Sequence, residues 1–175
     1  MGMEVEVRRL RGAEAREQLE ALSAVLHDCV AGGASVGFMA PFSLFDARAA
    51  FEPMVAQVQA GLRSILAASV DGLLVGTVQL VPATAPNQPH RADVAKLLVL
   101  RSARRQGVGR RLMERLEAEA RADGKRLLVL DTVTGGDAER LYASLGWVRV
   151  GVIPDYALFP DGRSCATTVF CKQLF

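Results

Sequence analysis

The densest chemical signal in the sequence is Arg104-Arg105-Gln106-Gly107-Val108-Gly109-Arg110, set between an apolar run and an amphipathic one. The first backbone N–H groups of a helix have no intrahelical partner and carry the positive end of its dipole, so a segment of this kind is suited to an anion. Glycine at 107 and 109 lets oxygen atoms approach the backbone, while Arg104, Arg105 and Arg110 add positive charge. The glycine spacing is not that of a dinucleotide fingerprint, and no Gly-Lys-Ser/Thr follows, so a pyrophosphate-bearing ligand of another kind fits best. Read alone, the same residues also serve a tight strand-to-helix turn with a solvated basic face.

Two acids stand beside apolar runs. Asp131 closes Leu127-Leu128-Val129-Leu130, where an unpaired carboxylate is costly to bury and so points to binding or catalysis. Asp93 precedes the run Val94 to Leu100 and is the second candidate, equally readable as an exposed strand-end acid. Cys29, Cys165 and Cys171 lack Cys-x-x-Cys spacing, and His27 and His90 lack companions for a ligand set. No metal is expected, and these five side chains read as structural.

The elements that must hold these groups follow from hydrophobic period. Val5 and Val7 read as a first strand, Ala13 to Val30 as a helix stopped by Gly32-Gly33, and Ala47 to Gln59 as a second helix with Phe51, Met54, Val55 and Val58 inward. Ile65 to Val70 and Leu73 to Val81, joined by Asp71-Gly72, form the clearest hairpin signal. Val94 to Leu100 is a strand, and Val108 to Asp123 a helix with Val108, Leu112, Met113, Leu116 and Ala120 inward. Leu127 to Leu130, the short helix Ala138 to Leu145, and the strands Trp147 to Ile153 and Thr167 to Lys172 complete the chain. The order is mixed α/β with one crossover unit between Val94 and Leu130.

At 175 residues, half of them apolar and 23% charged, the chain is expected to form one domain over 1–175 with a core that needs no staples. Lys and Arg exceed Asp and Glu by 21 to 19, too little for a nucleic-acid partner of the whole molecule. The arginines at 101, 104, 105, 110 and 111 are the exception in distribution, but they lack the interleaved aromatics of a single-strand RNA surface. No run is long enough to span a membrane and the start shows no signal core, so a cytoplasmic protein is expected.

Strand Leu97-Leu98-Val99, five residues from Val99 to Arg104, the Gly-x-Gly, a strand ending at Asp131, and Ala138-x-x-x-Tyr142-x-x-x-Gly146-Trp147 together resemble the GNAT family of N-acetyltransferases. Gly32 to Met39, Leu130-Asp131-Thr132, Gly151-x-x-Pro154-x-Tyr156 and Pro160-Asp161-Gly162 are similar to its tabtoxin-resistance subgroup. The resemblance implies a single-domain α/β fold, a mixed but mostly antiparallel twisted sheet of about seven strands flanked by about four helices and splayed at the cofactor. It implies acetyl-CoA as donor and a primary amine, of a small molecule, as acceptor, with a monomer or homodimer as the working unit. Protein N-termini or lysines as acceptors, and a non-catalytic acyl-CoA sensor, are the competing readings.

The family's cofactor mode places backbone groups of Leu97, Leu98 and Val99 along the pantetheine arm and the N–H groups from Arg105 to Arg110 on the pyrophosphate. At Gly135 the sequence departs from the family, which often has Asn there to bond the pantetheine. An alkyl amine with pKa ~10 must lose a proton before it attacks a thioester, so Asp131 or Asp93, directly or through water, is expected as base. Tyr142 matches the family's general acid for the departing thiolate, and a strand N–H near Leu98 or Val99 would serve the thioester oxygen. Ser35, Phe38, Met39, Thr132, Tyr156 and Phe159 are expected to line the acceptor site.

Overall fold

The structure, a computed structural model, describes residues 4–175. The elements in chain order are β1 (Val5–Leu10), α1 (Gly12–Glu17), α2 (Leu19–Ala31), α3 (Leu44–Gln59), β2 (Ser64–Val70), β3 (Leu73–Pro82), β4 (Arg91–Val99), α4 (Val108–Ala122), β5 (Leu127–Val133), α5 (Asp137–Ser144), β6 (Val148–Leu158) and β7 (Ser164–Gln173), with a single 3-10 turn at Arg101–Ala103. The strands form one sheet in the order β1-β2-β3-β4-β5-β7-β6. Every pairing is antiparallel except β4 with β5, whose parallel register follows from the crossover through α4.

Alternation along the strands divides the core between the two faces of the sheet. Leu66, Val78, Leu80, Val94, Leu128, Leu130 and Phe170 pack with the inner stripe of α4 and with Tyr142 and Trp147. Ile65, Ala67 and Leu98 face the other way, against α1, α2 and α3. Those three helices cover one end of that second face.

Several boundaries differ from the sequence-based ones. The helix expected over Ala13 to Val30 is broken at Gln18, with no Gly or Pro to mark it. The short α1 lies against the end of α3, where a Cβ on Gly12 would stand 3.1 Å from Gln59. Helix α3 starts three residues before Ala47, at a capping box in which Asp46 N–H donates to the Ser43 hydroxyl and Ser43 N–H to the Asp46 carboxylate. Strand β6 runs past Pro154, which an edge strand tolerates because its outer N–H groups need no ladder partner. Among the described residues there are five α-helices where about four were expected.

One buried ion pair fixes the wall behind Tyr142. The Glu117 carboxylate on α4 accepts from Lys172 Nζ at 2.8 Å and from Trp147 Nε1 at 3.0 Å, and Lys172 also donates to the Leu145 carbonyl. Glu117→Leu leaves the ammonium without its counter-charge. It is expected to lower unfolding stability by about 3 to 5 kcal/mol, read from urea denaturation. A loss below about 1 kcal/mol would show that the pair is dispensable.

Candidate active site

The register of β4 and β5 makes the opening. They pair only from Arg91 opposite Leu127 to Asp93 opposite Val129, and beyond that point the strands part. A bulge on β4 lets Lys96 and Leu97 face the single residue Val78, and Lys96 takes φ 53°. Past the bulge, Leu100 N–H bonds the Val75 carbonyl, so by alternation the Leu98 backbone pairs with Thr77 and that of Val99 faces the opening. Of the three residues expected to present backbone groups, Leu98 is therefore turned toward β3. The Val99 carbonyl accepts from Arg104 Nε at 3.2 Å.

The turn into α4 has the form its glycines suggest. Arg105 and Gly107 both have positive φ, 59° and 80°, and Gly107 is the N-cap. The first N–H of α4 that finds a helical partner is that of Arg111, which bonds the Gly107 carbonyl, so those of Val108, Gly109 and Arg110 are left for a ligand. Gln106 ties its amide to the Ser102 carbonyl, Arg105 lies 3.7 Å from Asp137, and Arg110 donates to Ser144. Gly109 has a further reason to be glycine: a Cβ there would meet Leu141 of α5 at 3.1 Å. A side chain at 109 would thus push on the helix that carries Tyr142.

On the sheet face left open by α1, α2 and α3, a cleft of about 330 Å³ is lined by Asp93, Ala95, Val129, Asp131, Ile153, Tyr156 and Val169 among others. Both candidate acids and Tyr156 meet here. Asp131 is exposed and accepts from Thr167 Oγ1 at 2.7 Å, so the expected burial of this carboxylate does not hold. Asp131 lies within β5, paired with Val169 of β7, but past the last β4 pairing, where its other edge borders the opening. Asp93 is held by the Arg91 guanidinium at 2.5 Å, two residues away on the same strand face.

Tyr142 lies on the opposite face, 5% exposed, its ring 5.9 Å from Trp147 and 5.8 Å from Phe170. Among the described residues no fully buried polar side-chain atom lacks a hydrogen-bond partner, and the Tyr142 hydroxyl has no partner within the chain. The hydroxyl must then break the surface, while its ring is enclosed. Burial, and secondarily the negative charge of Asp131, push the phenol well above its ordinary pKa.

The remaining expected site residues scatter. Ser35 donates to the Leu158 carbonyl at 2.7 Å, and Ala40 N–H bonds the Pro160 carbonyl, so the loop over 32–43 is fastened to the β6–β7 hairpin. Ser35 is thereby a latch with its hydroxyl already engaged. Phe38 stacks on Phe42, Met39 is exposed, and Thr132 offers its carbonyl to Thr167. Phe159 lines a separate hollow with Val30, Phe42 and Asp161, away from the two acids. What the sequence reading passed over is Lys96, Arg63 and Gln79, of which only Lys96 left a signal, a lysine inside an apolar run.

Comparison with known proteins bears on the whole arrangement. The model of the acetyltransferase (GNAT) family matches residues 38–147. A stretch of 83 residues is 49% identical to N-alpha-acetyltransferase 80 of Mus musculus; it covers 47% of this chain and a quarter, 25%, of the mouse protein. An N-acetyltransferase from Staphylococcus aureus Mu50 superposes with TM-score 0.80 at 21% identity, over 98% of this chain and 99% of its own. The Salmonella typhimurium protein yncA, solved with its cofactor acetyl-CoA, gives 0.78 at 21% identity over 98% and 94%. A ribosomal-protein-alanine N-acetyltransferase from Brucella melitensis gives 0.78 at 23% identity over 97% and 99%. Among the described residues no helix is long and apolar enough to cross a membrane, and no His, Cys, Asp and Glu cluster is of metal-binding size.

Proposed function

Because the chain belongs to the acetyltransferase (GNAT) family, we propose that it moves the acetyl group of acetyl-CoA to the primary amine of a small molecule. The free N–H groups at the start of α4, with Arg105 and Arg110 beside them, fit the pyrophosphate, and the backbone of Val99, which faces the opening, fits the pantetheine arm. Bound acetyl-CoA supplies the acetyl group and takes its leave as the thiol. Asp131 receives or orients the acceptor's ammonium and draws off its proton, directly or through water. The Val99 N–H, facing the opening, offers a hydrogen bond to the thioester oxygen, and Tyr142 gives its proton to the sulfur. Direct attack by the amine needs no nucleophile from the protein.

The observation that favours a small acceptor is the fastened loop. Its Val36 carbonyl is held by Lys96 on β4, and its Ser35 and Ala40 are held by the β6–β7 hairpin, so it bridges the two sides of the splay where a polypeptide would need an open groove. An amino-acid-like compound or an amine-bearing toxin or antibiotic, as the similarity to the tabtoxin-resistance subgroup implies, suits such a site. A second reading, acetylation of a protein N-terminus, draws on the names of the mouse and Brucella relatives. Thiol release with small amines against short peptides distinguishes the two. A peptide with the higher kcat/KM would overturn the small-molecule reading.

Acetyl-CoA at a hundredfold excess over its Kd is expected to raise Tm by about 5 to 10 °C. Gly107→Val should remove most of that rise, because valine strains a position at φ 80° and displaces the N–H groups that face the ligand. An equal rise in the variant would move the pyrophosphate elsewhere.

A further inference from the structure

Lys96 interrupts an apolar run and occupies the β4 bulge in a left-handed conformation that L side chains rarely adopt. Its ammonium donates to the Val36 carbonyl at 3.0 Å and stands 5.7 Å from the centre of the Phe38 ring. An ammonium has three N–H donors, and this one has a single hydrogen-bond partner among the described residues. Arg63, just before β2, is half-buried and bonds only neutral amides, Gln57 Oε1 at 2.7 Å and the side chain of Gln79. Gln79 is fully buried and sits opposite Ala95, the neighbour of Lys96.

Among the described residues no carboxylate lies within ion-pair distance of either cation, whereas Lys172 and Arg91, also largely buried, meet Glu117 and Asp93. Burial lowers the proton affinity of Lys96, the charge of Arg63 lowers it further, and the negative charge of Asp131 offsets part of this. Burial acts the same way on Arg63. Two partly buried cations without a carboxylate partner among the described residues make a positive site that an anion would complete.

We propose that Lys96, with the positive field of Arg63 behind it, is the carboxylate subsite of the acceptor pocket, so that the acceptor is zwitterionic, its amine toward Asp131 and its carboxylate on Lys96. The fastened loop brings the Val36 carbonyl to the same ammonium, which fixes where the two remaining N–H donors point. The proposal rests on the acetyltransferase reading for the identity of the reaction but not for the existence of the anion site.

The test is therefore made on binding. N-acetylglycine, N-acetylalanine and N-acetyl-γ-aminobutyrate, the products such acceptors would give, are titrated calorimetrically into the protein beside their carboxamides, with acetyl-CoA titrated separately. At least one carboxylate is expected to bind about tenfold or more tightly than its carboxamide, as for a hydrogen-bonded charge pair. That preference should vanish in Lys96→Met and persist in Lys96→Arg. No preference in the wild type overturns the proposal whether or not the variants fold, and so does a preference that survives Lys96→Met. Loss of both ligand types in a folded Lys96→Met would make the residue a mere anchor of the loop, which also overturns it. Acetyl-CoA binding without carboxylate preference removes the subsite and leaves the family activity standing. Carboxylate preference without acetyl-CoA binding does the reverse.

Discussion

Tyr142→Phe is expected to lower kcat by about 10² to 10⁴, the usual worth of a positioned general acid. The substitution removes one oxygen and leaves the ring between Trp147 and Phe170, so stability should not change beyond about 0.5 kcal/mol. Among the described residues the hydroxyl has no hydrogen-bond partner, hence its loss breaks no such bond and isolates the role in the reaction. Acetyl-CoA affinity should hardly move, because a proton needed only as the sulfur departs adds little to ground-state binding. Burial and the charge of Asp131 both disfavour the phenolate, so the acid stays protonated over the working range. With saturating amine, kcat of the wild type should show no falling limb up to about pH 10 from this group. A Phe variant within about threefold of wild type would assign Tyr142 to packing and the proton to water.

Asp131→Asn is expected to lower kcat/KM for the amine by about 10²-fold or more while the rise in Tm caused by acetyl-CoA is kept. Asparagine retains an oxygen for the Thr167 hydroxyl, so the side chain stays in place and only the charge and basicity go. Asp93→Asn is the control. Its carboxylate is already committed to Arg91, and a change of a few-fold at most is expected from it. Equal losses at the two positions would mean that the cleft needs negative charge in general and no particular base. Loss of acetyl-CoA binding in Asp131→Asn would make that residue structural.

The fold was legible wherever the signal was local. The Asp71-Gly72 hairpin, the stripe of α4, and the crossover from β4 to β5 all follow from period and turn chemistry within short windows. The break at Gln18 was not, since the apolar spacing runs through it unbroken and no Gly or Pro marks it. In the site, the helix start from Gly107 to Arg110 was readable because unpaired N–H groups are a property of any helix start.

Sequence alone therefore determined where the glycine turn into α4, the acid at position 131 and the tyrosine at 142 stand, each set by a residue type at a fixed offset from a strand or helix. Tertiary structure decided what those groups and their neighbours are able to do. It left Asp131 in the open, tied Ser35 to Leu158, and brought the Val36 carbonyl to Lys96 from 60 residues away. The reason is that charge, proton affinity and free hydrogen-bonding capacity depend on what packs around a group, and here the packing comes from segments far apart in the chain.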